Sequence, residues 1–204
     1  MSPGAEAVDA GGFSRWLRGM QAALRGRAAS DVPCGECTAC CRSAQFVHIA
    51  PDEETTLAAI PPELLFPAPR LPAGHVVLGY DDQGRCPMLV ESGCSIYSAR
   101  PRACRTYDCR VFAATGTGPT DQPLVGERVQ RWRFSNPSPV DAAEQEAVRA
   151  AAAFLAAHPE LLADGAPTSQ QAIAAIELHD LFLTPDAPPT VADVRDRLAR
   201  AFGG

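Results

Sequence analysis

The chain has 204 residues, 46% hydrophobic but only 6% aromatic, with 19 Pro, 16 Gly and 8 Cys, a length suited to one domain or to a compact domain with helical additions. Its 18 basic residues are all arginine, which excludes a Schiff-base lysine, a pyridoxal-phosphate lysine and the phosphate-gripping lysine of a P-loop, because each needs a primary amine on a long stem. The formal net charge of -6 speaks against broad electrostatic attraction to nucleic acid or anionic lipid, so neither nucleic acid nor a membrane is an expected partner.

Residues 1–29 hold no continuous apolar run of the kind a secretory leader needs, and no stretch approaches the ~20 apolar residues that span a bilayer. The expectation is a soluble, cytoplasmic protein. Over 12–28, Phe13, Trp16, Leu17, Met20, Ala23 and Leu24 recur at spacings of three and four, which predicts an amphipathic packing helix with Arg15, Arg18 and Arg25 off its apolar stripe. The stretch from Cys34 to Cys109 is broken by Pro61, Pro62, Pro67, Pro69 and Pro72, which predicts short elements and long loops. Within it, Phe46–Ile49 and His75–Tyr80 read as brief strands, with the acidic Pro51-Asp52-Glu53-Glu54 between them as a helix start.

After Cys109 the cysteines stop. Arg128 to Phe134 reads as one strand, closed by Asn136-Pro137-Ser138-Pro139, and three helices follow at 140–157, 168–182 and 190–202. The second starts at Thr168 or Ser169, and the third has Thr190 as its cap with Asp193 three residues on. Trp132 and Phe134 among Arg128, Arg131 and Arg133 have the residue types of a stacking surface for nucleic acid. In an acidic chain a half-buried edge strand is the better reading.

The chemistry sits in Cys34, Cys37, Cys40, Cys41, Cys86, Cys94, Cys104 and Cys109. In a reducing compartment cysteines stay thiols unless captured, so this clustering points to a metal or redox centre rather than a disulfide framework. Cys34-x2-Cys37-x2-Cys40 lets one tight loop aim three thiolates at a centre, as iron–sulfur proteins do with a remote fourth ligand, whereas zinc sites more often use paired C-x2-C turns. Cys41 follows Cys40 directly, and adjacent side chains diverge on a strand or helix, so Cys41 is expected to serve a different centre from Cys34, Cys37 and Cys40. The eight thiolates then make two four-ligand sites or one polynuclear cluster. Thiolate-held ions carry net negative charge, and Arg42, Arg85, Arg100, Arg102, Arg105 and Arg110 stand among the cysteines to offset it.

These residues resemble a known family. Cys34-x2-Cys37-x2-Cys40-Cys41, Gly84-Arg85-Cys86-Pro87-Met88-Leu89, Gly93-Cys94-Ser95-Ile96-Tyr97, Arg100-Pro101-Arg102-Ala103-Cys104-Arg105 and Cys109 are together similar to the YkgJ-type CxxCxxCC family over residues 34–110. The resemblance implies zinc or iron chelation, or an iron–sulfur cluster; it implies no reaction. Flagellin lysine N-methylases share a similar cluster, but this sequence shows no additional methyl-donor site.

Beside the cysteines, His48 and Asp52 have ligand chemistry, yet strand packing and helix capping account for them. His75, His158 and His179 are scattered, and Tyr97 and Tyr107 fit core packing or shielding of a cluster. Pro101 is expected in the first turn of a short helix carrying Cys104. No Gly-rich phosphate loop, G-x-S-x-G elbow or H-E-x-x-H helix is present.

The expected fold is α+β, mainly α. A small irregular metal-organised core with short strands, residues 34–110, is flanked by the N-terminal helix in 1–33 and by a helical extension over 111–204. The expected function is a metal-binding protein holding an iron–sulfur cluster through its cysteines, with an electron-transfer or redox role and a redox or protein partner. The alternative is Zn2+ in a structural module that acts as a protein-interaction scaffold.

Overall fold

The chain is described from a computed structural model, which covers residues 6–30, 32, 34–91, 93–119, 122–184 and 188–202. Residues 1–5, 31 and 33 of the N-terminal stretch read above lie outside the described residues. In chain order the elements are β1 (Val8–Gly12), α1 (Phe13–Leu24), β2 (Val47–Ile49), α2 (Glu54–Ala59), β3 (Leu65–Pro67), β4 (Val76–Leu78), β5 (Leu89–Val90), β6 (Gly93–Cys94), α3 (Arg102–Thr106), α4 (Arg110–Thr115), α5 (Pro123–Val129), β7 (Trp132–Ser135), α6 (Pro139–Ala157), α7 (Thr168–Leu178) and α8 (Val191–Phe202). About half of the chain is helical and the strands form small sheets, so the fold is α+β and mainly α. No helix among the described residues is long and apolar enough to cross a membrane. Packing divides the chain into two units, one of Met1–Arg25 with Cys109–Gly204, the other of Gly26–Asp108.

The first unit is built on helix packing. The apolar stripe of α1 is buried through Phe13, Trp16, Leu17, Met20 and Ala23, and Phe134 of β7 meets the rings of Phe13 and Trp16 at 5.0 and 4.9 Å. β1 and β7 pair in parallel, Val8 opposite Trp132, with a bulge before Gly11, whose φ of 86 suits glycine. The strand expected from Arg128 begins only at Trp132, because α5, opened by Pro123 in its first turn, runs to Val129 and buries Val125 and Val129 one turn apart. α6 begins with a capping box in which Ser138 and Asp141 satisfy each other's backbone N–H groups. Asp141 Oδ1 also accepts from Ser14 N at 2.9 Å, so one buried carboxylate holds the starts of two helices. The expected third helix also has its box, Thr190 with Asp193. The second begins at Thr168 with no side-chain cap and tightens into a 3-10 turn after Leu178. Ala151, Ala174 and Ala175 leave little between α6 and α7, and Leu155, Leu178, Val194 and Leu198 complete that core.

The second unit has far less apolar interior. β2, β4 and β3 form an antiparallel sheet in that order, with Val47 and Leu65 both opposite Leu78. Its buried cluster is Ile49, Ile60 and Leu78, with Val76, Cys86, Met88 and Ile96 packed around it. β5 and β6 make a separate hairpin, Leu89 opposite Cys94.

Candidate metal centre

Four short pieces of residues 26–108 deliver thiols. The first is a turn in which Cys37 N donates to Cys34 O at 2.9 Å. It closes through Gly35, whose φ of 53 lies in the left-handed region. A 3-10 turn, Cys40–Arg42, follows, held by Arg42 N to Ala39 O and by the Ser43 hydroxyl to the same carbonyl at 2.7 Å. Successive residues of such a turn point about 120° apart. Cys40 is accordingly exposed while Cys41 is half-buried.

The second piece is bound to the first by backbone, Cys86 N donating to Cys41 O at 2.7 Å and Ala44 N to Gly84 O at 2.9 Å. A Cβ at Gly84, where φ is 73, would stand 3.2 Å from that of Ala44, so glycine permits this approach. Asp81 shapes the turn before it, Oδ1 accepting from Gln83 N and Arg85 N and Oδ2 from the Arg85 guanidinium. The third piece is the hairpin carrying Cys94, and the fourth is α3 carrying Cys104. α3 is followed by a tie to the start of the unit, in which Ser30 N donates to Arg105 O and the Ser30 hydroxyl to Asp108, both residues buried.

Electrostatics show which sulfurs are neighbours. Burial, reinforced by Cys86, Cys94, Cys34 and Cys37, pushes the Cys41 thiol up to about 11. Burial, then Cys41, Cys86 and Cys94, pushes Cys104 up to about 12, with Arg100 opposing. Cys104 as a residue is exposed. Cys86 is raised by burial and by Cys94, against a backbone hydrogen bond at Met88. Cys41 therefore lies within electrostatic reach of Cys34, Cys37, Cys86, Cys94 and Cys104. The 3-10 turn leaves Cys40 exposed and Cys41 half-buried, with Cys34 and Cys37 among the groups that raise the Cys41 thiol.

Cys109 is placed in the other unit. It precedes α4, is 7% exposed, and accepts from the Trp132 indole N–H at 3.2 Å. The guanidinium of Arg128 lies 4.4 Å from the centre of the same ring. Of the flanking arginines, Arg100 stacks on Tyr97 at 4.0 Å, Arg85 pairs with Asp81, Arg102 with Asp52 at 2.6 Å, and Arg42 is exposed. Arg110 donates to Ala10 O at 3.3 Å.

Asp52 is held below the usual carboxylate range by its bond to Arg102. His48 pairs with His75, Nε2 to Nδ1 at 2.9 Å. Their planes are 12° apart and their centres 5.1 Å apart, the geometry of rings meeting edge to edge through that bond. The buried carboxylate of Glu53 went unread in the sequence, where it is one of three consecutive acids; only its long-range partners single it out.

Among the described residues, no three Cys, His, Asp or Glu side chains already close around one point. The donor set nonetheless fits a thiophilic ion. Cys41 and Cys104 keep their protons because burial and neighbouring cysteines disfavour their thiolates, and a bound cation offsets both effects. All eight cysteines are unbridged.

No curated protein and no solved structure matches the chain. The family comparison does find a match, to CxxCxxCC, described as a putative zinc- or iron-chelating domain, over residues 33–122. That span contains every cysteine on these pieces, and over it the chain is similar to the CxxCxxCC family.

Proposed function

We propose that the cysteines from Cys34 to Cys104 hold an iron–sulfur cluster, and that the protein serves electron transfer or another redox role with a protein partner in the reducing cytoplasm. The observation that carries this reading is that Cys34, Cys37, Cys86 and Cys94 act on the Cys41 thiol, and Cys41, Cys86 and Cys94 on the Cys104 thiol, from four separate pieces of chain. Cys40, at the head of the same 3-10 turn, completes the Cys-x2-Cys-x2-Cys run that suits a cluster. An iron–sulfur cluster would supply one-electron chemistry. The chain's part is to deprotonate and aim the thiols, with Arg100 favouring the Cys104 thiolate.

A second reading, zinc in an interaction scaffold, is favoured by a different observation. Phe46, Phe66 and Tyr80 are 64%, 53% and 42% exposed. The rings of Phe46 and Phe66 both stand over Gly79, while Phe46 meets Tyr80 at 5.0 Å, an apolar patch of the kind that binds partners. Counting iron, zinc and acid-labile sulfide per chain in anaerobically purified protein separates the two. Iron with matching sulfide, and visible absorption bleached by dithionite, is the expected result. Colourless protein with zinc and no sulfide turns the assignment to the scaffold.

A further inference from the structure

Glu53 is a buried carboxylate of the cysteine-bearing unit that takes a partner from a distant segment, its side chain 3% exposed. Oε1 accepts from Ala50 N at 3.0 Å, fixing the turn into α2. Oε2 accepts the N–H of Arg102, the first residue of α3, and lies 3.8 Å from the Arg105 guanidinium. Cys104 lies between those two arginines. A helix of 5 residues has no stability of its own, so the direction of the Cys104 side chain is set by whatever grips the ends of α3. Those grips are Glu53 at the start and Ser30 N on Arg105 O at the end. A carboxylate is costly to bury, and this one is compensated only while α3 stays where it is.

We infer that Glu53 is a positioning residue for the metal centre, which aims Cys104 at Cys41, Cys86 and Cys94 by holding the first N–H of α3. This rests on the metal-binding reading above. The neighbouring Asp52 bonds the Arg102 side chain from an exposed position, 65% accessible, and contributes little to the same end. Gln at position 53 keeps the shape but has one oxygen acceptor for two backbone donors, so it releases either α2 or α3.

The test uses the full chain, purified anaerobically and stripped, with Zn2+ affinity measured against a chromophoric chelator and the thiolate-to-metal absorption read after Co2+ loading. Glu53→Gln is expected to weaken Zn2+ binding by about tenfold or more and to diminish the cobalt–thiolate band, while Asp52→Asn stays within about threefold of wild type. In a Cys104→Ser background, Glu53→Gln is expected to add no further loss, a non-additivity that general loosening of the fold would not produce.

Arg102→Pro makes the test independent of how Glu53→Gln folds. It deletes the N–H that Glu53 accepts, at a first helical position that tolerates proline, after a Pro101 already extended at φ -50 and ψ 149. It should match the Glu53→Gln loss. Additive losses in the double variant, or Arg102→Pro binding as tightly as Asp52→Asn, overturn the inference. Wild-type protein that carries no iron and takes up neither Zn2+ nor Co2+ instead defeats the metal reading, and the inference falls with it.

Discussion

The thiols of half-buried Cys41 and of Cys104 are pushed up to about 11 and 12, so at neutral pH each holds its proton. Two consequences can be measured. Metal uptake at pH 7 must displace those protons, so the heat of Zn2+ binding should change with the ionisation enthalpy of the buffer; a heat common to all buffers contradicts it. In the metal-stripped, reduced protein, the folded thiol pKa lies above its ordinary value of 9.0. The stability tied to the neutral thiols is therefore whole below about pH 9 and is lost as pH rises through about 11 to 12. Thermal midpoints should fall over that range, and a flat profile speaks against the clustered thiols. At this scale the sequence was informative about which residues, and silent about direction. The spacing Cys34-x2-Cys37-x2-Cys40-Cys41 announces a centre, but the outward turn of Cys40 depends on a 3-10 geometry that spacing does not encode. Likewise nothing in Asp52-Glu53-Glu54 tells which acid is buried.

Among the elements, the long periodic helices were readable because their signals are local. The stripe of α1, the Thr190–Asp193 box of α8 and the boundaries of α6 all rest on residues within a turn or two of one another. β1 was not readable: Val8–Gly12 is short, glycine-rich and without alternation, and it exists because Trp132–Ser135 pairs with it. Asp141 joins these levels, its carboxylate held below the usual range by the Ser138 hydroxyl and then by Ser14 N. A lowered carboxylate contributes stability above its ordinary value of 3.8 and loses that contribution as pH falls through the folded value. Asp141→Asn should accordingly lower the thermal midpoint at neutral pH, and the gap from wild type should shrink in acid. A gap that stays constant into acid would show that the charge of Asp141 is not what the helix starts use.

For the whole molecule, the unit of Gly26–Asp108 rests on a small buried apolar cluster, Ile49, Ile60 and Leu78, whereas the other unit has the cores of α1, α6, α7 and α8. The sequence pointed the same way, because the Pro-rich cysteine stretch lacks long apolar periods and the flanks have them. Metal removal should therefore act unevenly. Amide exchange in residues 34–104 is expected to quicken on chelation under reducing conditions, while α6 and α7 keep their protection and far-UV ellipticity changes little. Equal loss of protection in both units, or none in either, contradicts it.

The amide of Ser14 waits for the carboxylate of Asp141, 127 residues later in the chain. On the ribosome, elongating at about 5–20 residues per second, that interval lasts about 6 to 25 seconds. During it the first helix has its apolar stripe unmet, a ready client for a chaperone, and by its end the cysteine-bearing insert has been synthesised whole. Metal capture during synthesis thus has a head start over completion of the helical unit that encloses the insert in sequence.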